Sequence, residues 1–136
     1  MKYLLDTDTL IYAYKRAGNC MAHMSAQPDI DLALSCINLF ELEFGIAKSV
    51  NRTPMERYLR ELCKRYTVLD FDQDAARQAG VLRAHLQSLG TPIGPYDVQV
   101  AGVALSRGLT LVTRNTREFE RVAGLQLENW YDLPCA

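Results

Sequence analysis

Short apolar runs of strand length alternate along this chain with longer segments that have the apolar spacing of amphipathic helices. The runs that predict strands are KYLLD (2–6), DLALS (31–35), TVLDF (67–71), LTLVT (109–113) and LQLEN (125–129). Strands that are separated by helices pair in parallel, and the helices then cover both faces of the sheet. The pattern therefore predicts a three-layer α/β fold, with a mostly parallel central sheet of four to five strands and helices on both faces.

Capping residues, prolines and glycines predict where the helices begin and end. Helices are expected over residues 9–17, 39–50, 54–66, 73–90 and 95–108, with an optional helical turn within 18–28 and a short helix before the last strand. The predicted N-caps are Asp8, Asn38, Thr53 and Asp72, with Glu56 completing a capping box. Pro95 and Gly108 bound the last long helix, because proline suits a first turn and glycine suits a helix end.

Length and composition restrict the class of protein. The chain has 136 residues, of which 49% are hydrophobic, enough for one domain over 1–136 with a buried core. No run approaches the ~18 apolar residues of a membrane helix, and Asp6 interrupts any signal-peptide pattern. The cysteines lack metal-site spacing and predict reduced thiols: Cys20, Cys36, Cys63 and Cys135. We expect a cytoplasmic protein with no membrane partner, whose net charge of −1 gives no overall attraction to nucleic acid.

The stretch LLDTD places two carboxylates at the end of the first predicted strand. The spacing D-x-D-x-T also matches the nucleophile motif of haloacid-dehalogenase-type phosphatases, with Asp6 as nucleophile and Asp8 as acid or base. That chemistry needs a lysine after a strand-end threonine such as Thr113, yet the last lysine of the chain is Lys64. A late pair of acids at a strand end is missing too, so the phosphatase is the least favoured alternative.

A different set of oxygen-bearing side chains has a consistent placement. Asp6 ends the first strand, and Glu41 lies in the first turn of the helix that Asn38 is predicted to cap. Asp97 lies in the first turn after Pro95, and Asn115 follows the fourth strand. Strand tips and the starts of the following helices share one edge of a parallel sheet. Scattered oxygen ligands at one edge suit a hard cation such as Mg²⁺ or Mn²⁺.

The whole chain resembles the PIN-domain ribonucleases, and more closely the VapC-type toxins of type II toxin–antitoxin pairs. The motifs that carry the resemblance are LLDTD at 4–8, S-x-I-x-x-x-E-L-x-x-G at 35–45, GPYD-x-x-x-A at 94–101 and LVTRNTREFERVAGLQLENW at 111–130. The family's acidic positions map onto Asp6, Glu41 and Asp97. The fourth acid falls at Asn115, where this chain departs from the family pattern, and either Glu118 or Glu120 could supply the missing charge.

The resemblance implies a role for each candidate residue. Asp6 and Asp97 are expected to bind the metal, whereas Glu41 and Asn115 either bind it or orient water. Thr113 and Asp8 are expected to support the ligands, and the candidates for RNA contact are Arg114 and Arg117. Purely structural alternatives stay open: a capping-box role for Glu41, a helix-dipole role for Asp97, an N-cap role for Asp8 and a strand-end role for Thr113.

The resemblance also implies an activity and partners. The expected protein is a Mg²⁺-dependent endoribonuclease toxin that hydrolyses RNA, with tRNA as the leading substrate, water as nucleophile and no covalent intermediate. The implied partners are a second copy of the chain and a cognate antitoxin, which would itself bind promoter DNA. Phe40 and Phe44 are expected in the core or on the dimer face. The alternative function, kept open by Asn115, is a catalytically weak PIN-fold nucleic-acid-binding or regulatory subunit.

Overall fold

The computed structural model describes residues 1–136 and contains one five-stranded sheet. The strands are β1 (Tyr3–Leu5), β2 (Leu32–Ser35), β3 (Thr67–Leu69), β4 (Thr110–Val112) and β5 (Leu127–Glu128). Their order across the sheet is β3-β2-β1-β4-β5, and every neighbouring pair is parallel. The predicted α/β class and the parallel sheet are confirmed.

Seven helices connect these strands. They are α1 (Thr7–Lys15), α2 (Cys20–Ala26), α3 (Cys36–Ala47), α4 (Thr53–Arg65), α5 (Gln73–Ser88), α6 (Pro95–Arg107) and α7 (Thr116–Phe119). A turn of 3₁₀ helix, Asp29–Asp31, precedes β2. None of these helices combines the length and the apolar character that crossing a membrane requires.

Two hydrophobic cores lie on opposite faces of the sheet. Successive residues of a strand point to opposite faces, so Leu5 joins one core and Leu4 joins the other. The first core packs against α1–α4 and includes the buried Trp130. The second packs against α5–α7 and includes the buried Phe119. The predicted three layers are therefore present, with the sheet in the middle.

Three predicted helix starts are wrong. Asp6, and not Asp8, caps α1, because its side chain accepts a hydrogen bond from the backbone amide of Thr7. Ser35 caps α3, and Asn38 is the third helical residue, where its side chain completes a capping box with Ser35. Thr53 lies inside α4, and no side chain caps that helix. Asp72, Pro95 and Gly108 lie where the sequence predicted them.

The earlier start of α3 has two consequences. Glu41 lies in the second turn of the helix rather than in the first, which removes the capping-box alternative for this residue. The helix also ends at Ala47, so Val50 lies outside it and is fully exposed. Phe40 and Phe44 are 50% and 60% exposed, so their placement in the core is wrong and a role at a surface remains.

The strand order fixes where a ligand can enter. From β1 the chain runs to β2 and β3 on one side of the sheet, and it then returns to β4 and β5 on the other side. The reversal leaves a crevice between the carboxyl ends of β1 and β4, where parallel α/β sheets bind their ligands. Asp6 directly follows β1 and Thr113 directly follows β4.

Candidate functional site

Asp6 forms the floor of this crevice. Its side chain is almost completely buried, and three donors from three elements point at it. Oδ1 accepts hydrogen bonds from the Thr7 amide at 2.9 Å and from Nδ2 of Asn38 at 3.3 Å. Oδ2 accepts a hydrogen bond from the hydroxyl of Thr113 at 3.0 Å. Because a buried carboxylate is costly without donors, this set fixes the orientation of Asp6.

Asn38 is a site residue that the sequence analysis assigned only to helix capping. Its side chain is fully buried, and Oδ1 accepts from the amide and the hydroxyl of Ser35 at 3.0 and 2.7 Å. Its Nδ2 donates to Asp6 and, at 3.0 Å, to the hydroxyl of Thr7. That hydroxyl in turn donates to Oε1 of Glu41 at 2.8 Å. Asn38 therefore joins the end of β2 to two acids of the crevice.

Asp8 supports the crevice from the side of β4. One of its oxygens accepts from the Thr113 hydroxyl at 3.3 Å and from the Arg114 amide at 3.1 Å. The other accepts from the hydroxyl of Thr9 at 3.2 Å. These contacts hold the segment after β4 against α1 and occupy Asp8 with protein donors.

Asp97 and Glu118 form the opposite wall. Oε1 of Glu118 accepts a hydrogen bond from the Gly94 amide at 2.8 Å, and Oε2 accepts from Nδ2 of Asn115 at 2.6 Å. Asp97 is hydrogen-bonded to the same carboxylate. Glu120 is exposed and has no side-chain hydrogen bond, so the structure brings Glu118, and not Glu120, into the crevice beside Asn115.

Mutual repulsion and burial control the charges of these acids. Burial, together with the nearby charges of Asp8 and Glu41, raises the pKa of Asp6 to about 7, although hydrogen bonds from Thr7 and Thr113 oppose the change. Burial, the hydrogen bond to Glu118 and the surrounding charges raise the pKa of Asp97 to about 8.

The pKa of Glu118 shifts in the opposite direction. Partial burial opposes its ionisation, but hydrogen bonds from Asp97, the Gly94 amide and Asn115, together with the nearby positive charge of Arg121, outweigh this cost and lower its pKa. Asp97 and Glu118 therefore titrate together as a pair, in which Asp97 is the harder of the two to ionise.

The crevice holds carboxylates without a basic partner. None of the seven ion pairs of the chain involves Asp6, Asp8, Glu41, Asp97 or Glu118. Burial first, and then the neighbouring carboxylates, raise the pKa values of Asp6 and Asp97. As placed, no three acidic, histidine or cysteine side chains enclose a common point. The donor chemistry fits a hard cation that keeps part of its water shell.

The two arginines predicted to contact RNA differ in their surroundings. Arg114 stacks on Tyr131, with 3.5 Å from the guanidinium carbon to the ring centre, and its Nε lies 3.5 Å from a carboxylate oxygen of Asp132. Its guanidinium also contacts the hydroxyl of Tyr12. Arg114 therefore attaches the C-terminal segment to α1. Arg117 is exposed at the edge of the crevice, without an ion pair or a hydrogen bond.

The chain matches proteins of one family along nearly its whole length. The family model that describes the PIN domain matches residues 3–125. The chain is 40% identical over 130 residues to the tRNA(fMet)-specific endonuclease VapC of Salmonella typhimurium, covering 96% of this chain and 98% of that protein. The chain is a PIN domain of the VapC family.

Two solved structures of VapC-family complexes have the same fold. The DNA-bound VapBC complex from Salmonella typhimurium superimposes with a TM-score of 0.89 at 39% identity, covering 96% of this chain and 98% of that one. The VapBC2 complex of Rickettsia felis, bound to a promoter DNA fragment, gives a TM-score of 0.87 at 33% identity, covering 96% and 99%. The predicted family is confirmed.

We expect the metal-free protein to lose stability as the pH rises from about 4 to about 8. An unfolded Asp ionises near pH 4, whereas Asp6 in the folded protein keeps its proton to about pH 7 and Asp97 to about pH 8. Ionisation of the unfolded chain across this window therefore favours unfolding. In EDTA, the free energy of unfolding measured in urea should fall by at least about 2 kcal/mol between pH 5 and pH 8.

The isosteric variant Asp6→Asn provides the comparison. It keeps a group of the same shape and removes the ionisation, so its stability should depend less steeply on pH. Asp74→Asn, on the exposed face of α5, is the matched control and should follow the wild type. Equal pH slopes for Asp6→Asn and the wild type would contradict the assignment of the buried charge.

Proposed function

We propose that the chain is a Mg²⁺-dependent endoribonuclease of the VapC toxin type, neutralised by a cognate antitoxin. The observation that carries this function is the group of carboxylates without a basic partner at the carboxyl ends of β1 and β4. A phosphodiester would be repelled by these groups unless a cation reversed the local charge. The family relation supports the same activity, since the Salmonella typhimurium relative is named an endonuclease.

Asp6 and Asp97 are the residues that would hold the cation directly, with Mn²⁺ as an alternative to Mg²⁺. Asn115 and Glu118 would complete the opposite wall, through the amide oxygen or through water. Glu118 supplies there the negative charge that Asn115 lacks. When bound, the cation would polarise the scissile phosphate and lower the pKa of an attacking water.

The residues of the chain position this reaction. Thr7 anchors Oε1 of Glu41, whereas Oε2 makes no hydrogen bond and can accept one from the attacking water. Thr113 and Asn38 keep both oxygens of Asp6 at fixed positions. Hydrolysis then proceeds by direct attack of water on phosphorus, without a covalent protein intermediate.

The substrate class follows from the family relation. The Salmonella typhimurium relative is named as specific for tRNA(fMet), so we propose tRNA as the substrate of this chain and the cytoplasm as its place of action. The second candidate function is a catalytically weak PIN-fold nucleic-acid-binding or regulatory subunit, which Asn115 favours because it stands where the family pattern has an acid. Cleavage assays separate the two functions.

Substitutions in the crevice should follow a hierarchy in a Mg²⁺-dependent cleavage assay on tRNA. Asp6→Asn and Asp97→Asn should each reduce kcat/KM by at least about 100-fold, since each removes a charge at the reacting phosphate. EDTA should abolish cleavage, and Asn115→Asp should retain activity because it restores the family's acid.

Glu118→Gln and Glu120→Gln form a matched pair two residues apart. The first should lower activity by about 10-fold or more, and the second should leave it unchanged, because only Glu118 enters the crevice. Full activity of Asp6→Asn in Mg²⁺ would contradict the assignment of the metal site. Equal effects of the two glutamate variants would contradict the proposed role of Glu118 in the crevice.

We propose that the antitoxin covers the acidic crevice with a basic side chain. A guanidinium offers two carboxylates a planar set of donors, and Asp6 and Asp97 have no such partner within the chain. The VapBC structures from Salmonella typhimurium and Rickettsia felis are complexes with DNA, which supports binding of promoter DNA through the antitoxin. The exposed rings of Phe40 and Phe44 support the predicted homodimer, which stays a prediction.

Induced expression in a bacterial host tests the toxin. The wild type should arrest growth, Asp6→Ala should not, and co-expression of the protein encoded beside it should restore growth. Purified wild type should cleave tRNA and should be inhibited by that second protein. Normal growth with abundant, folded wild type that also leaves tRNA intact would contradict the function.

A further inference from the structure

A polar cavity of about 270 Å³ adjoins the acidic crevice. Four side chains line it, and none of them is hydrophobic: Asn115, Arg117, Glu118 and Arg121. Asn115 and Glu118 also belong to the wall that faces Asp97. The cavity therefore shares two of its four lining residues with the wall of the crevice, and the other two are arginines.

Neither Arg117 nor Arg121 forms an ion pair, although Arg121 is close enough to Glu118 for its charge to stabilise that carboxylate. Arg121 donates through Nη1 to the backbone carbonyl of Pro92 at 2.9 Å, which fixes the side chain by means of a neutral acceptor. Arg117 has neither an ion pair nor a hydrogen bond. Glu118, the acid of the cavity, already accepts hydrogen bonds from Gly94 and Asn115.

Four other arginines of the chain do form ion pairs. The following are paired with an aspartate: Arg65, Arg77, Arg107 and Arg114. Arg114 was predicted, together with Arg117, to contact RNA. Its guanidinium instead contacts the ring of Tyr131 and the carboxylate of Asp132. Two guanidinium groups beside the crevice thus remain available to an external anion.

An RNA strand whose scissile phosphate lies in the crevice would bring a second phosphate close to these two arginines. Its phosphates are joined through successive riboses, so a strand with one phosphate in the crevice must place another close by. The acids of the crevice repel that neighbouring phosphate, and only the scissile one would face the cation. Guanidinium groups hold phosphates through parallel hydrogen bonds and keep their charge at every working pH.

We propose that Arg117 and Arg121 form a binding subsite for the phosphate next to the scissile phosphate of the RNA. This inference rests on the proposed nuclease function and adds how the strand is positioned. The two arginines are positioning residues. They hold the strand by charge, independently of base identity, and Arg114 takes no part.

Equilibrium binding to a fluorescent single-stranded RNA of twelve nucleotides tests the subsite. All variants are made in the Glu41→Gln background in Mg²⁺, which limits cleavage while Asp6 and Asp97 stay intact. Fluorescence anisotropy gives Kd at KCl concentrations between 50 and 300 mM, because the release of counterions makes such binding depend on salt. The double variant Arg117→Gln/Arg121→Gln should bind about 10-fold more weakly. Its slope of log Kd against log salt should fall by about 0.7, the value for one phosphate of a single strand.

Arg57→Gln is the matched control. Arg57 is exposed on α4, on the opposite face of the sheet from α7, and it has no ion pair. This variant should keep the salt slope of the parent protein. Arg117→Gln alone should lower the slope without changing thermal stability, since Arg117 is exposed and makes no hydrogen bond or ion pair within the fold. Arg121→Lys should keep more affinity than Arg121→Gln because it keeps the charge.

A neutral methylphosphonate in the RNA locates the contact. Placed one nucleotide to either side of the cut, it should weaken binding to the parent protein at one of the two positions and leave binding to the double variant unchanged. In the catalytically intact protein, the double variant should raise KM while kcat changes by less than about twofold.

Three results would overturn the subsite. The first is a salt slope of the double variant equal to that of Arg57→Gln, and the second is no effect of the methylphosphonate at either position. The third is a double variant that binds RNA as the parent protein does but is no longer inhibited by the antitoxin. That result would assign the cavity to a protein partner. Parent protein that neither binds nor cleaves RNA would instead contradict the nuclease function itself.

Discussion

The buried carboxylate of Asp6 is the constraint on which the rest of the site depends. It lies where β1 passes into α1, and donors from α1, α3 and the end of β4 converge on it. A carboxylate in this position is tolerated only because these donors replace the water it has lost. The same donors fix its orientation, so one residue caps a helix, joins four elements and presents an acid to the crevice.

Repulsion among the acids follows from this burial. Asp6 and Asp97 retain protons at a pH where exposed aspartates are ionised, because each is buried and faces other carboxylates. A cation entering the crevice would compensate these charges, so relief of the repulsion would favour the binding of the proposed cation. Glu118, kept ionised by its donors, takes over the charge that Asn115 does not provide.

The segment after β4 combines opposite charges within a few residues. Glu118 turns toward the acids, while Arg117 and Arg121 line the outer cavity. Arg114 serves the fold, because Tyr131 and Asp132 hold it on the C-terminal segment. α7 and the residues that follow it thus place a negative charge in the wall of the crevice and two positive charges in the adjoining cavity.

The sequence by itself determined the fold class and the placement of the main acids. Alternating apolar runs and helical periods are local signals, and they sufficed for the parallel sheet, for the shared edge of Asp6 and Asp97 and for the family. Their limits appear at strand ends that pass directly into a helix. β2 ends at Ser35, which is itself the cap of α3, so no loop marks the boundary between them. Asn38 was therefore predicted as the cap although it lies inside the helix.

Only the tertiary structure decided which side chains meet. Nδ2 of Asn38 reaches Asp6 across 32 residues of sequence, and the hydroxyl of Thr113 reaches it across 107. Such contacts depend on the order of strands in the sheet, which no local pattern encodes. Tertiary packing also separates Glu118 from Glu120 and Arg117 from Arg114. Glu118 meets Asn115 in the wall of the crevice, whereas Arg114 is held by Asp132.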